Sequence, residues 1–272
     1  MSKSAGQFTR LLEIMARLRS ADGCPWDREQ TIDTLKPFLL EETYEVLQAI
    51  DRHDHAALCE ELGDFLFEAV FVAQLESEAG HFTIADALEK VADKLVRRHP
   101  HVFAREAGQA ELHSAGQVRS RWEEVKAQER GARSEADTLL SSLPAALPSL
   151  LRAHQIGIRA ASVGFDWDRA RDVIEKIQEE VDELHAVVGD GRHVDAAHAE
   201  EEMGDLLFAI ANLSRRLGIE PETALRKANE KFTTRFTTME RAIAESGRTM
   251  RHMTLDELEE EWRRAKASEQ PG

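Results

Sequence analysis

The chain has 272 residues, of which 42% are hydrophobic, and its 51 acidic residues exceed its 35 lysines and arginines, giving a formal net charge of −16. This length accommodates one or two domains with separate cores, and the negative charge argues against non-specific binding to nucleic acid. The two cysteines, Cys24 and Cys59, have no C-x-x-C spacing and suit a reducing cytosol. Because residues 1–10 lack the apolar core of a signal peptide and no apolar stretch is long enough to cross a bilayer, we expect a cytoplasmic protein without membrane contacts.

Apolar residues recur at helical spacing through nearly the whole chain, and the alternation typical of strands is scarce, so the sequence predicts an all-α fold. In the first half we expect helices over residues 8–19, 33–51, 55–79, 84–97 and 116–129. In the second half we expect helices over residues 147–161, 169–188, 194–216, 221–245 and 255–267.

The order of motifs in the first half returns in the second half, which predicts two domains of the same kind. Between them lies a segment rich in Ser, Ala and Pro, including Pro144 and Pro148. We therefore expect tandem helical bundles over residues 1–130 and 149–272, joined by a linker over residues 131–148.

An acidic pattern marks two consecutive helices of the first half. The first helix carries E-E-x-x-E at Glu41, Glu42 and Glu45, and the next carries E-L-G-D at Glu61 and Asp64. Residues three or four apart share a helix face, so each helix points two carboxylates in one direction. At about 100° per residue, these acids fall at the edge of the apolar stripe and not in the middle of a solvated face.

The same acidic pattern returns in the second half, at Glu179, Glu180 and Glu183 and then at Glu202 and Asp205. Carboxylates gathered from two helices repel one another unless a cation or protons neutralise them. Oxygen ligands favour Mg²⁺, Mn²⁺ or Ca²⁺ over zinc, and these segments lack the E-x-x-H of di-iron bundles. The sequence therefore predicts a divalent cation site in each half.

Downstream of the acids, each half carries a basic pair spaced i, i+4 and then a tryptophan followed by a lysine. These residues are Lys94, Arg98, Trp122 and Lys126 in the first half, and Lys231, Arg235, Trp262 and Lys266 in the second. Each piece alone is more often a solvated face or a packed core. Their joint duplication in one order favours a polyphosphate ligand, although duplication could also preserve packing.

The ordered motifs resemble those of the MazG family of nucleoside triphosphate pyrophosphohydrolases in its two-domain form. The resemblance covers about residues 7–267 and rests on G-C-P-W-D (23–27), L-E-E-T-Y-E-V (40–46), E-L-G-D-F-L-F (61–67), R-R-H-P-H-V-F (97–103), V-G-F-D-W (163–167), E-E-M-G-D-L-L-F (201–208) and K-A-N-E-K-F (227–232). It implies hydrolysis of a ribo- or deoxyribonucleoside triphosphate between the α and β phosphorus atoms, with Mg²⁺ or in its place Mn²⁺. It also implies an all-α homodimer or higher assembly.

Carried over by motif position, the resemblance assigns the metal ligands Glu180, Glu183, Glu202 and Asp205, with first-half counterparts Glu42, Glu45, Glu61 and Asp64. Glu179 and Glu201, the first acids of each doublet, could orient or deprotonate water. The substrate contacts that it implies are Lys176, Asn229, Lys231, Arg235, Trp262 and Lys266.

The two halves differ outside the acids. Phe38 stands at the position of Lys176, although Lys36 lies nearby, and Ala92 stands at the position of Asn229. We therefore expect the second half to be the main hydrolytic one and the first half to be regulatory or weakly active. Pro100 is expected to end the preceding helix in a turn.

Three alternatives stay open. The first is a nucleotide- or metal-sensing module without significant turnover, and the second is a helical dimerisation protein with no chemistry of its own. The third, within the enzyme class, is a relative specific for dUTP or dCTP, because base selectivity depends on pocket shape. Dimerisation also follows from packing, since a few apolar-striped helices per half cannot bury every apolar face alone.

Overall fold

The computed structural model describes residues 2–103, 138–189 and 194–268. Within these ranges all regular elements are helical, so the predicted all-α class is confirmed. The chain divides into two compact units, Met1–Arg133 and Ser134–Gly272. The helix expected over residues 116–129, with Trp122 and Lys126, lies outside the described residues, as does the linker as far as residue 137.

The described helices of the first unit are α1 (Lys3–Leu18), α2 (Pro25–Glu29), α3 (Ile32–Asp51), α4 (His55–Glu78), α5 (Ile84–Arg98) and α6 (Pro100–Phe103). Helix α1 begins before its predicted start at residue 8 because Ser2 caps it, accepting a hydrogen bond from the Ala5 amide. The short helix α2 was not predicted. Pro100 opens α6 directly after α5 ends, which fits the tolerance of proline for the first position of a helix.

The described helices of the second unit are α7 (Ser149–Ala161), α8 (Ala170–Val188), α9 (Ala196–Arg216), α10 (Pro221–Glu245) and α11 (Leu255–Ser268), with a 3₁₀ turn at Met250–His252. Asp195 caps α9 by accepting hydrogen bonds from the amides of Ala197 and His198. Asp54 caps α4 in the same way in the first unit. These caps begin the second acidic helix of each half at equivalent positions.

Each unit is built around a helix pair that carries the acids. Helix α3 packs on α4, which also contacts α1, and α8 packs on α9, which also packs on α7. The first pair buries Leu35 and Phe71 completely, together with Met15 of α1. Burial of such side chains contributes about 2 kcal/mol each, so this contact holds the two helices together.

Helix α10 forms a second layer in its unit, where it packs on α7 and α11. Met239 and Ile243 of α10 and Ala265 of α11 form a buried cluster, and the half-buried Trp262 packs against it. None of the described helices is long and apolar enough to span a membrane.

Candidate metal centre

Three carboxylates of the second half meet between α8 and α9. Glu180 and Glu183 are one turn apart on α8, Glu202 comes from α9, and their oxygens lie within 4.8 Å of one another. Glu180 is only 3% exposed, while Glu183 is open to solvent. This second-half trio therefore has one carboxylate in the buried helix interface and another at the solvent-exposed surface.

The first half repeats this arrangement between α3 and α4. The oxygens of Glu42, Glu45 and Glu61 also lie within 4.8 Å of one another. The Oε2 atom of Glu42 is buried and has no hydrogen-bond partner among the described residues. In this first-half trio, as in the second, the packing of two helices brings two local sequence patterns together into one cluster.

Burial, together with repulsion from neighbouring acids, makes three of these carboxyl groups harder to ionise. Burial, and then the charges of Glu202 and Glu180, raise the pKa of Glu183. In the first half, burial and then Glu45 and other acids raise the pKa of Glu42, and burial and then Glu45 raise that of Glu61. A bound cation would therefore stabilise the ionised forms of the carboxylates in both trios.

One lysine compensates the second-half trio from within its own helix. The Nζ atom of Lys176 donates to Glu180 Oε1 at 2.7 Å and to Glu179 Oε1 at 2.9 Å. These bonds, with that to Glu180 the stronger, raise the pKa of Lys176. Of these two predicted site residues, Lys176 therefore contacts a member of the trio directly, and Glu179 is linked to it through Lys176.

The first half has no lysine at the equivalent place. Phe38 stands there, packs against the core and makes an edge-to-face contact with Trp26, with ring centroids 5.8 Å apart. Lys36 is turned to solvent, where it pairs with Asp33 at 2.5 Å. The two sites therefore share their acids but differ in their neighbouring charge.

A pocket of about 370 Å³ opens beside the second-half trio, lined by Glu183, Ala186, Val187, His198 and Glu202. His198 lies one turn before Glu202, and its Nε2 is 3.0 Å from Glu202 Oε1. The sequence analysis missed His198, although its i, i+4 spacing to a predicted ligand was a usable signal.

The remaining predicted acids lie next to the trios and not inside them. Asp205 is exposed on α9, one turn after Glu202. Glu201, which directly precedes Glu202, is also exposed. Asp64 is also exposed, and its charge contributes to the raised pKa of Glu42 and of Glu61.

The predicted substrate residues on α10 and α11 form a separate group. Trp262 lies against Phe232, with ring centroids 5.1 Å apart. In the described part of the chain, no hydrogen bond or ion pair joins Asn229, Lys231 or Lys266 to the second-half trio, and all three side chains are exposed. Arg235 is half-buried on α10.

A fifth acid of the first half was missed by the sequence analysis. Glu68 is 7% exposed on α4, and burial, followed by the charges of Glu42 and Asp64, raises its pKa. It stands two helical turns after Glu61, at a spacing that keeps both residues on one face of α4. That spacing is the signal that could have identified it.

The donor atoms of both trios suit a hard divalent cation. All are carboxylate oxygens, which Mg²⁺, Mn²⁺ and Ca²⁺ prefer, and neither trio includes the thiolate or imidazole ligands typical of zinc. The unpartnered Oε2 of Glu42 offers a buried acceptor that such a cation would satisfy.

Comparison with known proteins identifies the same domain family in both halves. The chain matches the MazG nucleotide pyrophosphohydrolase domain twice, at residues 30–103 and 170–239. It is 48% identical to the nucleoside triphosphate pyrophosphohydrolase of Escherichia coli strain K12 over 97% of this chain and 98% of that protein. It is 43% identical to the nucleoside triphosphate pyrophosphohydrolase/pyrophosphatase MazG of Thermotoga maritima over 98% of this chain and 99% of that protein. A solved structure of a mazG-related protein from Thermotoga maritima matches 44% of this chain and 98% of its own, with 34% identity and a TM-score of 0.37.

Proposed function

The chain belongs to the MazG family, and on that basis we propose that it hydrolyses nucleoside triphosphates to a nucleoside monophosphate and pyrophosphate, with Mg²⁺ as its cofactor. The observation that carries this proposal is the second-half trio with Lys176 held against Glu180 at 2.7 Å. This arrangement supports the proposal because carboxylates that would hold a cation lie next to an ammonium that would bind a phosphate.

In the proposed reaction a water molecule attacks the α phosphorus of the triphosphate. A new P–O bond forms to the water oxygen, and the bond from the α phosphorus to the bridging oxygen breaks, so that pyrophosphate leaves. Bound Mg²⁺ would supply charge neutralisation for the phosphates. Charge stabilisation of this kind needs no covalent enzyme intermediate.

The second-half trio would hold the cation, with Asp205 completing the ligand set from the next turn of α9. Mn²⁺ can replace Mg²⁺ at such oxygen ligands. Glu179 is exposed beside Glu180, and we propose that its carboxylate would orient the attacking water and accept its proton once Lys176 has left it. Glu201 has the equivalent position beside Glu202 and is the second candidate for this role.

Cationic and aromatic side chains would bind the substrate. Lys176 would move from Glu180 to the phosphates once a divalent cation neutralises the trio, because the acid then no longer needs the ammonium. Lys231 and Arg235 would bind phosphate, Asn229 would hydrogen-bond the nucleotide, and Trp262 with Lys266 would close over it.

We infer that the second half carries most of the turnover and that the first half is regulatory or weakly active. Lys176 supports this division. At the equivalent place the first half has Phe38, an uncharged side chain that packs against the core and offers no cation to a phosphate. The first half nonetheless keeps its acid trio, which supports a role for cation binding there.

We further infer that the protein acts as a homodimer in the cytoplasm. Large apolar side chains of α4 remain exposed in the single chain, among them Leu62, Phe65 and Leu66, at 44%, 38% and 50%. A second chain would cover such surface.

The test is release of pyrophosphate and nucleoside monophosphate from a panel of ribo- and deoxyribonucleoside triphosphates with Mg²⁺. The unmodified chain is compared with Glu180→Ala and Glu42→Ala, and with Glu13→Ala as a control at an exposed acid of α1. Loss of turnover only in Glu180→Ala places hydrolysis in the second half. Absence of turnover by the unmodified chain with every triphosphate would overturn the proposal and favour a nucleotide- or metal-sensing module.

A further inference from the structure

Glu68 is a buried acid, and no ion pair joins it to a cation among the described residues. Its side chain is 7% exposed, and its Oε2 atom has no hydrogen-bond partner within the described part of the chain. Buried carboxylates in folded proteins are normally paired or bound to a metal, because desolvation otherwise disfavours the charged form. Glu68 therefore needs a physical explanation that the fold alone does not supply.

Glu68 shares a face of α4 with two predicted acids of the first-half site. On α4, Glu61, Asp64 and Glu68 follow one another at spacings of three and four residues, which places them on one helix face. The charges of Glu42 and Asp64 act on Glu68 and, after burial, raise its pKa. Glu42 itself has a buried Oε2 atom without a hydrogen-bond partner in the ranges described. Glu68 and Glu42, whose charge acts on Glu68, thus each have a buried carboxylate oxygen without a hydrogen-bond partner among the described residues.

The second half lacks this feature. The motif E-x-G-D-x-L-F aligns Glu61 with Glu202 and so aligns Glu68 with Ala209, a buried residue that is 6% exposed. The second half has instead the ammonium of Lys176 against its most buried acid, where the first half has Phe38. The first-half site thus has Glu68 but no lysine at the position of Lys176. The second-half site has Lys176 but no acid at the position of Glu68.

We propose that Glu68 is an additional ligand of the first-half cation site, so that this site holds a divalent cation in the absence of nucleotide. The second-half site, with fewer carboxylates and a competing lysine, would bind its cation tightly only together with the phosphates. The affinity of oxygen sites for divalent cations rises with the number of charged ligands. This inference rests on the cation of the proposed function but does not require the first half to turn over.

The two cation sites would then have different roles. The first-half cation would be resident and would hold α3 and α4 together through Glu42, Glu61 and Glu68. The second-half cation would arrive with each substrate. The first half would then contribute a metal-stabilised scaffold in place of a second turnover site.

The test is titration of the full chain with Mn²⁺ in the absence of nucleotide, with free Mn²⁺ followed by electron paramagnetic resonance. Glu68→Gln is compared with the unmodified chain, with Glu183→Gln in the second-half trio, and with Glu13→Gln as a charge-matched control at an exposed acid. We expect Glu68→Gln to weaken the tightest class of Mn²⁺ binding by about 10-fold or more. Glu183→Gln and Glu13→Gln should leave that class unchanged.

Thermal melts separate ligation from a purely structural role. Glu68→Gln and Glu68→Leu each remove an uncompensated buried acid, so in metal-free buffer their Tm should equal or exceed that of the unmodified chain. The rise in Tm on adding Mn²⁺ should shrink in both. Unchanged Mn²⁺ affinity in Glu68→Gln, or unfolding of both variants without metal, would overturn the inference.

The same titration distinguishes this inference from the proposed function. Tight Mn²⁺ binding that persists in Glu68→Gln removes only the role of Glu68 and leaves the cation-dependent reaction standing. If the unmodified chain binds no Mn²⁺ with or without a triphosphate, both fail together.

Discussion

The ammonium of Lys176 lies 2.7 Å from Glu180 Oε1, and Glu180 is the most buried acid of the second-half trio, at 3% exposure. The two residues are one helical turn apart, so α8 itself supplies the counter-charge of its own candidate metal ligand. A divalent cation at the trio would take over that neutralisation and release the lysine. The pair would thereby link cation binding to the release of a positive charge toward the substrate.

Replacing Lys176 with methionine should lower kcat/KM for pyrophosphate release by about 10- to 100-fold, because this removes the cation that we propose binds the phosphates. Steady-state kinetics at saturating Mg²⁺ measure this effect. Lys36→Met is the control, since Lys36 pairs with Asp33 at the surface of the other half. Equal kinetics for the two variants would contradict a role for Lys176 in substrate binding.

Trp262 should prove important for both packing and binding, and two substitutions separate these roles. Trp262→Ala should lower the free energy of unfolding by about 2–3 kcal/mol, because the ring packs on Phe232 and on the α10–α11 cluster. Trp262→Phe should keep most of that packing and raise KM several-fold. Denaturant melts and substrate titrations give the two readouts. A Trp262→Phe variant with unchanged KM would leave Trp262 a packing residue only.

Asp166→Asn should lower the free energy of unfolding by about 3 kcal/mol at neutral pH, since it leaves Arg215 and Arg216 without their acid. Burial opposes ionisation of Asp166, but the hydrogen bond and charge of Arg215 and the charge of Arg216 outweigh it and lower the pKa of Asp166. Because the folded-state pKa is depressed, this stabilisation is present above the ordinary pKa and is lost as the pH falls through the lower one.

Chemical denaturation as a function of pH tests this expectation. The difference between Asp166→Asn and the unmodified chain should be constant near neutrality and shrink below about pH 4. Asp182→Asn is the control, because Asp182 is exposed on α8 and, within the described ranges, accepts a single hydrogen bond, from Gln178. A difference that grows on acidification would show that the sign of the pKa shift is wrong.

Gly157→Ala should destabilise the second unit by about 1–2 kcal/mol, despite the higher helix propensity of alanine. A Cβ atom at residue 157 would lie 3.1 Å from Asn212 Oδ1 and 3.2 Å from Arg215 Nε. Asn212 is 4% exposed and accepts a hydrogen bond from Arg215, which also binds Asp166, so these atoms have little freedom to move away.

Gly6→Ala provides the matched comparison within another helix. Residue 6 lies inside α1, and a Cβ atom there would meet nothing within 4 Å. That substitution should stabilise the chain by about 0.5–1 kcal/mol. Differential scanning calorimetry of both variants checks the contrast, and stabilisation by Gly157→Ala would mean that Asn212 can yield.

Much of the fold followed from local patterns. The long helices were predicted with ends close to those of α3, α4, α5, α8 and α9, because apolar spacing and capping residues are local properties. The family resemblance drawn from the ordered motifs is likewise confirmed. The short α2 was missed, since five residues carry too little periodicity to be recognised.

The candidate site was predictable only in part. The carboxylates that form both trios were identified from spacing on each helix, because residues one turn apart must share a face. Their neighbours were not identified in the same way. Glu68 and His198 stand at spacings that were visible in the sequence. Nothing local, however, distinguishes a buried acid from a solvated acid, or a histidine that contacts Glu202 from a solvated histidine.

The sequence by itself determined the helical class, the duplicated order of motifs and the two sets of acids, since each depends on periodicity within one element. Only the tertiary structure decided which charges meet across elements. It pairs Asp166 with Arg215 and Arg216 and leaves Glu68 buried without a hydrogen-bond partner for its Oε2 atom among the described residues. The physical reason is that burial and the compensation of charge depend on distances between helices, which residues far apart in sequence set together.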